Sequence, residues 1–339
     1  MVVVMKRILV ILLYVCSVNT VQAFDLSMES YDKQQLQTVG AVKNSTDPAV
    51  LYAAANVLWY DSDFQENVEQ GTLYMEQAAD AGFLQAIEAM GDFYYEDSLI
   101  DADNKKSIHW FEKSAAKSSA YGYYSLATIY YEGGAGVDAD YKKAFDNFLK
   151  SAELGNDSAM YDLAFQYMLG EGVKKDNKKA LYWFEKSAEL GDVRSTYQVG
   201  YAHQFGNGVE QDCAKAIAIY QKTFDEDEYI RSAVALADIY YDNRVQCAEK
   251  RSDYKKSFSF YKFAAYNGNT YSKYQLGYAY RNGHGVYSDV VQSLAWYSLA
   301  DEDGYDGAAD AIREVKTNMR SEQIAKADKL KIELEEEVY

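Results

Sequence analysis

A short glycine phrase recurs along this chain at a fixed interval, and that interval constrains the fold more than any other feature. Gly136-Val137, Gly172-Val173 and Gly208-Val209 follow one another at steps of 36 residues. Ser151-Ala152-Glu153-Leu154-Gly155 returns at the same step as Ser187-Ala188-Glu189-Leu190-Gly191. Gly285-Val286 comes 77 residues after Gly208-Val209, which is one ordinary period and one of 41. The longer unit, about 229–269, carries an insertion around Asn243–Ser252 and has lost the glycine turn. Self-similarity at this length marks stacked supersecondary units. One such unit cannot bury its own apolar face, so neighbours must complete the core.

Residues 157–192 show what the unit is. Ala159, Leu163, Ala164 and Tyr167 lie on one face of a helix. Gly170-Glu171-Gly172-Val173 stops that helix, because glycine accepts the positive φ that a helix end needs. Asp176 is placed to cap the next helix, as are Asp140 and Asp212 in neighbouring units. Ala180, Trp183, Phe184 and Ala188 form the apolar face of that second helix, and Gly191 ends it. Each unit therefore reads as a helix hairpin. One proline, Pro48, in 339 residues agrees, since proline breaks helix interiors. In this register the units fall at about 48–82, 83–119, 120–156, 157–192, 193–228, 229–269 and 270–304. Residues 307–339 read as a polar helical cap after a repeat region of 48–306, and 24–47 as a polar leader.

The unit resembles the Sel-1-like repeat, a relative of the tetratricopeptide repeat. Leu276, Gly277, Tyr280, Gly283, Gly285, Val286, Trp296 and Ala300 carry the resemblance in the last unit. Tyr130, Gly134, Gly136, Val137, Ala144, Ala152 and Gly155 carry it in an earlier one. Unit 83–119 departs by lacking Gly-x-Gly-Val, and unit 229–269 by its insertion. Met319 to Ala325 looks like the cap that follows such arrays. The resemblance implies an all-α, right-handed superhelical α/α solenoid of about seven hairpins with a C-terminal helical cap. It also implies a protein–protein interaction scaffold and not an enzyme.

The first 23 residues read as a signal peptide. Lys6 and Arg7 precede the apolar Ile8–Val18, and Val21-Gln22-Ala23 resembles a cleavage site. That run is too short for the roughly 20 residues of a spanning helix. An uncleaved anchor is the alternative, and Met5 could also be the start. Export to the periplasm, or secretion, is the expectation, with no membrane insertion after cleavage. Removal of residues 1–23 leaves 32 basic against 52 acidic residues. A chain so acidic is repelled by nucleic acid and by anionic lipid, and it suits a basic protein partner. Cys213 and Cys247 remain, as one disulfide or as two separate thiols.

Catalytic chemistry is sparse. His109, His203 and His284 stand in different units, without the His-Glu-x2-His spacing of a zinc site. His203 takes the place of Tyr167 and Tyr240 in other units, which suits core packing. No phosphate-cradling loop and no nucleophile elbow is present, and the paired acids do not follow a calcium loop. No catalytic residue, metal or other cofactor is expected. A hydrolase reading would follow relatives with a cysteine pair in each repeat, a feature missing here.

In this class of solenoid the first helix of each hairpin lines the concave face. The groove positions give Tyr95; Tyr124 and Tyr131; Tyr161, Phe165 and Met168; Tyr197, Tyr201 and Gln204; Tyr241; and Tyr274, Tyr278 and Arg281. Glu88, Asp92, Thr128, Val234 and Asp238 fill the other places. Tyrosine supplies rigid contact area at low entropy cost, so this row suits a partner helix or extended segment. The same spacing also suits packing between neighbouring units. A narrower reading is an immunity or accessory protein of a type VI secretion system. The sequence leaves oligomeric state open.

Overall fold

The structure is a computed structural model that describes residues 45–60, 65–95, 102–241, 247 and 252–338. The expected signal peptide and residues 24–44 of the leader lie outside the described residues, as does most of the insertion. Every regular element described is an α-helix. Seven hairpins follow in chain order. They are α1 (Pro48–Tyr60) with α2 (Gln65–Asp80), α3 (Leu84–Tyr95) with α4 (Asn104–Ala116), and α5 (Ala120–Glu132) with α6 (Tyr141–Glu153). Then come α7 (Asp157–Leu169) with α8 (Asn177–Glu189), α9 (Val193–Phe205) with α10 (Cys213–Asp227), α11 (Ile230–Tyr241) with α12 (Tyr254–Tyr266), and α13 (Thr270–Asn282) with α14 (Val290–Glu302). Two further helices, α15 (Ala308–Lys316) and α16 (Ser321–Val338), pack on α14.

The chain forms two compact units. The N-terminal unit runs to Gln166 and includes Gly170–Lys174; the C-terminal unit holds Tyr167–Leu169 and everything from Lys175. In the N-terminal unit one core joins Leu58, Met75, Ile87, Met90 and Trp110. A second joins Phe111, Ala115, Leu126 and Ile129. In the C-terminal unit Tyr220, Leu236 and Ile239 form one core, and Tyr261, Leu276, Trp296 and Leu334 another. Ala311, Val315 and Ala327 of α15 and α16 cover Leu294 and Tyr297 and so seal the last hairpin.

One aspartate closes each hairpin from the second to the seventh. Asp103, Asp140, Asp176, Asp212, Asp253 and Asp289 accept backbone N–H groups of the helix they begin, satisfying donors that a helix start leaves open. Each also donates its own N–H to a carbonyl near the end of the preceding first helix, at 2.7–2.9 Å. The acceptors are Tyr94, Tyr130, Tyr167, His203, Tyr240 and Tyr280 in turn. The lysine three residues on lies over the same ring in four hairpins, as with Lys106 over Tyr94 and Lys143 over Tyr130, both at 4.8 Å. A single short motif thus starts a helix and ties it to its mate.

In three hairpins the recurrent glycine docks against the hairpin before. Gly172, Gly208 and Gly285 hold φ of +67°, +79° and +77°. A Cβ on them would lie 2.0–2.2 Å from the carbonyl oxygen of Tyr141, Asn177 or Tyr254. Those three residues open the second helix of the preceding hairpin, so only glycine allows the loop to dock there. The hairpin of α11 and α12 lacks the glycine. In its place Cys247, also at positive φ (+73°), forms a disulfide with Cys213, the first residue of α10. The Cα atoms are 5.0 Å apart, inside the usual range. A covalent bond therefore occupies the contact that backbone packing makes elsewhere.

Loop entropy for a bridge across 34 residues is roughly 3–4 kcal/mol. Reduction, or the pair Cys213→Ser and Cys247→Ser, is expected to lower the denaturation midpoint. It should also speed amide exchange in the first turn of α10, with α3–α6 unaffected. Unchanged exchange at α10 would show that the loop docks without the bond.

Candidate functional site

The groove positions lie on the first helices, α3, α5 and α7 up to Gln166 in the N-terminal unit, and the end of α7 with α9, α11 and α13 in the C-terminal one. In the N-terminal unit Tyr95, Tyr124, Tyr131, Tyr161 and Phe165 are half-buried, each keeping part of its ring at the surface. Their hydroxyls reach from one hairpin to the next. Tyr95 donates to Glu132 at 2.6 Å, Tyr124 to Asp162 at 3.1 Å, and Tyr131 to Glu171 at 2.9 Å. Tyr121 donates back to Asp92 at 2.6 Å. Burial, then the bond to Glu171, pushes Tyr131 up to about 12, so it stays a protonated donor in ordinary conditions. Tyr161 and Phe165 meet edge to face at 4.9 Å. These links hold the rings in place.

The C-terminal unit uses the same positions differently. At one core place of the second helix stand Phe111, Phe148 and Phe184, then Tyr220, Tyr261 and Tyr297. Each buried tyrosine brings a hydroxyl that needs a partner. Tyr220 donates to Gln204 at 2.8 Å and Tyr261 to Asp238. Tyr297 is buried near Arg281, whose guanidinium pairs with Glu314 at 2.7 Å. Polar groups at groove positions are thereby drawn toward the second helix. Gln204 is 4% exposed and does not face outward as expected from the sequence. Burial raises the Asp238 carboxyl, and the bonds from Tyr261 and Tyr271 oppose that rise. Met168 and Tyr197 are half-buried, while Tyr201 remains 36% exposed beside Phe205. Tyr241, Tyr274 and Tyr278 are half-buried; Tyr241 hydrogen-bonds His284 Nδ1 at 3.2 Å, and Tyr274 stacks near Tyr305 at 4.6 Å.

Among the described residues no cluster of three or more His, Cys, Asp or Glu side chains could hold a metal ion. No described helix is long and apolar enough to cross a membrane.

Helix hairpins closed by an aspartate and docked by a glycine define an all-α repeat solenoid. The Sel1 repeat model matches at 49–83, 84–119, 120–156, 157–192, 193–227, 231–269 and 270–305, so the chain belongs to the Sel1 repeat family. Proteins of this family are protein–protein interaction scaffolds. A Sel1 repeat protein from Oxalobacter formigenes is 22% identical over 74% of this chain and 99% of its own, with a TM-score of 0.64. A protective antigen of uropathogenic Escherichia coli with an SLR fold is 17% identical over 93% and 95%, at 0.47. An immunity protein from Pseudomonas aeruginosa is 18% identical over 62% and 81%, at 0.37. The first shares the fold; the other two scores carry no argument. No curated protein matches the chain.

His203 gives the fold a pH dependence. It is buried, and neither ring nitrogen has a hydrogen-bond partner. Burial, and then Lys215, lower its pKa below the ordinary 6.5. Above pH 6.5 both folded and unfolded chains hold it neutral, so it contributes nothing there. As pH falls below 6.5 the unfolded chain takes up the proton first, and stability declines until the folded pKa is reached. His203→Tyr, which restores the ring used in neighbouring hairpins, is expected to make this decline shallower in urea denaturation at stepped pH. An unchanged slope would remove His203 as its source.

Proposed function

We propose that this chain is an exported interaction scaffold that binds a partner protein on the tyrosine-rich face of its first helices. The observation that carries this reading is the row of half-exposed rings in the N-terminal unit, held in place by hydroxyl–carboxylate bonds. A surface of rigid aromatics, ordered before binding, loses little side-chain entropy on contact. The acidic charge of the chain adds long-range attraction for a basic partner, which salt weakens. Lys6, Arg7, the apolar Ile8–Val18 and the Val21-Gln22-Ala23 sequence support export. The family supports binding over catalysis.

Affinity capture with residues 24–339 from envelope extracts of the source organism, at low and high salt, tests this reading. A stoichiometric partner is expected at low salt and should diminish at high salt. Replacing Tyr95, Tyr124, Tyr161 and Phe165 of the N-terminal unit with serine should weaken capture at least tenfold. Undiminished capture by that variant would move binding off this face. No partner at either salt would contradict a resident scaffold.

A further inference from the structure

Three hairpins fill one repeated place differently. In α5–α6 the residue after the capping aspartate is Tyr141, and its ring lies 5.3 Å from that of Tyr131 near the end of α5. In α11–α12 the same two places hold Tyr254 and Tyr241, 5.5 Å apart. The glycine loop of the following hairpin brings a third group to each pair. Tyr131 donates to Glu171 at 2.9 Å, and His284 stacks on Tyr254 at 4.2 Å. In α7–α8 the three places hold Met168, Asn177 and Asn207, so both rings are missing.

A cavity opens where those rings would stand. Met168, Asn177, Leu181, Phe184, Tyr201 and Asn207 are among its lining residues, and all belong to the C-terminal unit. Its empty space, counted out to the open mouth, is about 270 Å³. Tyr201 of the lining is exposed, and Phe205 lies 4.4 Å from its ring. The walls are mostly apolar, with one exception. Asn177 Oδ1 is buried and has no hydrogen-bond partner. At the same place in the second hairpin, Asn104 uses its amide to donate to the carbonyls of Gly133 and Gly134, at 3.1 and 2.9 Å. A buried acceptor left open is costly, and a donor arriving from outside removes that cost.

We propose that this cavity receives a tyrosine side chain of the partner protein, its ring against Met168, Leu181 and Phe184 and its hydroxyl donating to Asn177 Oδ1. The chain's own hairpins show what the place accepts, because a tyrosine ring stands there in two of them. A methionine wall suits an incoming ring, since its thioether is polarisable and adapts to aromatic edges. This rests on the scaffold reading and adds one partner side chain to it.

The test uses residues 24–339 labelled at the methionine methyl groups, with p-cresol as the probe for a tyrosine side chain and toluene as the probe without the hydroxyl. Ring current at the Met168 methyl, assigned by its loss in Met168→Leu, reads binding by NMR. p-Cresol should move that signal saturably, with a dissociation constant of about a millimolar, and toluene should bind at least threefold more weakly. Asn177→Tyr, which restores the ring of the sister hairpins, should abolish the shift and reduce capture of the partner at least tenfold. Gly172 and Gly285 dock on the carbonyls of Tyr141 and Tyr254 as Gly208 does on that of Asn177, so a tyrosine is compatible with this docking. If that variant does not fold, Ala202→Leu fills the cavity from α9 and should have the same two effects. A Met168 signal unmoved by p-cresol would overturn the proposal, as would toluene binding as tightly. Undiminished capture by Asn177→Tyr, with capture lost on replacing the N-terminal tyrosines, would overturn it too while leaving the scaffold reading in place.

Discussion

The aspartate that opens the second helix in the second to seventh hairpins is the interaction on which the repeat rests. Its side chain satisfies the helix start, and its backbone N–H reaches the carbonyl of an aromatic residue, or of His203, on the first helix. A hairpin of two helices of about 13 residues is marginal alone. With both ends of the turn specified by one residue, the pair presents a fixed face to its neighbour. The glycine loop then sets where the neighbour sits, because backbone meets backbone at a distance no side chain would permit. Stacking follows from two local contacts repeated, as expected of a protein whose units touch chiefly the next in line.

Those contacts are legible in the sequence because they depend on residue types at fixed spacing. Asp140, Asp176 and Asp212 read as caps, Gly136-Val137 and its repeats as turns, and the units as hairpins. Other features were not legible, because they depend on which atoms meet across helices. Gln204 occupies a groove register, yet it turns inward because Tyr220, where earlier hairpins have Phe, brings a hydroxyl into the core. Lys273 would be read as a surface charge. It is buried against Asp303 at 2.8 Å, an arrangement that needs the partner placed first. Cys247 as a stand-in for the docking glycine shows only once its positive φ and its contact with the start of α10 are seen together.

The phenylalanine-to-tyrosine change falls inside the C-terminal unit, between Phe184 and Tyr220, and alters which first-helix groups turn inward. Where the core place is Phe111 or Phe148, Asp92, Glu132 and Asp162 accept tyrosine hydroxyls of a neighbouring hairpin, while Glu88 accepts the hydroxyls of Ser114 and Ser119. Where it is Tyr220 or Tyr261, Gln204 and Asp238 of the first helices accept its hydroxyl. Tyr220 and Tyr261 thus draw Gln204 and Asp238 into internal hydrogen bonds, while Tyr201 stays at the surface. A difference of one hydroxyl per hairpin changes which first-helix groups turn inward without altering the hairpin itself.

The most direct test of this account is amide hydrogen exchange of residues 24–339 alone and in complex with the captured partner. Slowed exchange concentrated in α3, α5 and α7 is the result the account predicts. Protection confined to α4 and α6, with the first helices unchanged, would contradict it, because the partner would then sit on the wall and not on the tyrosine face.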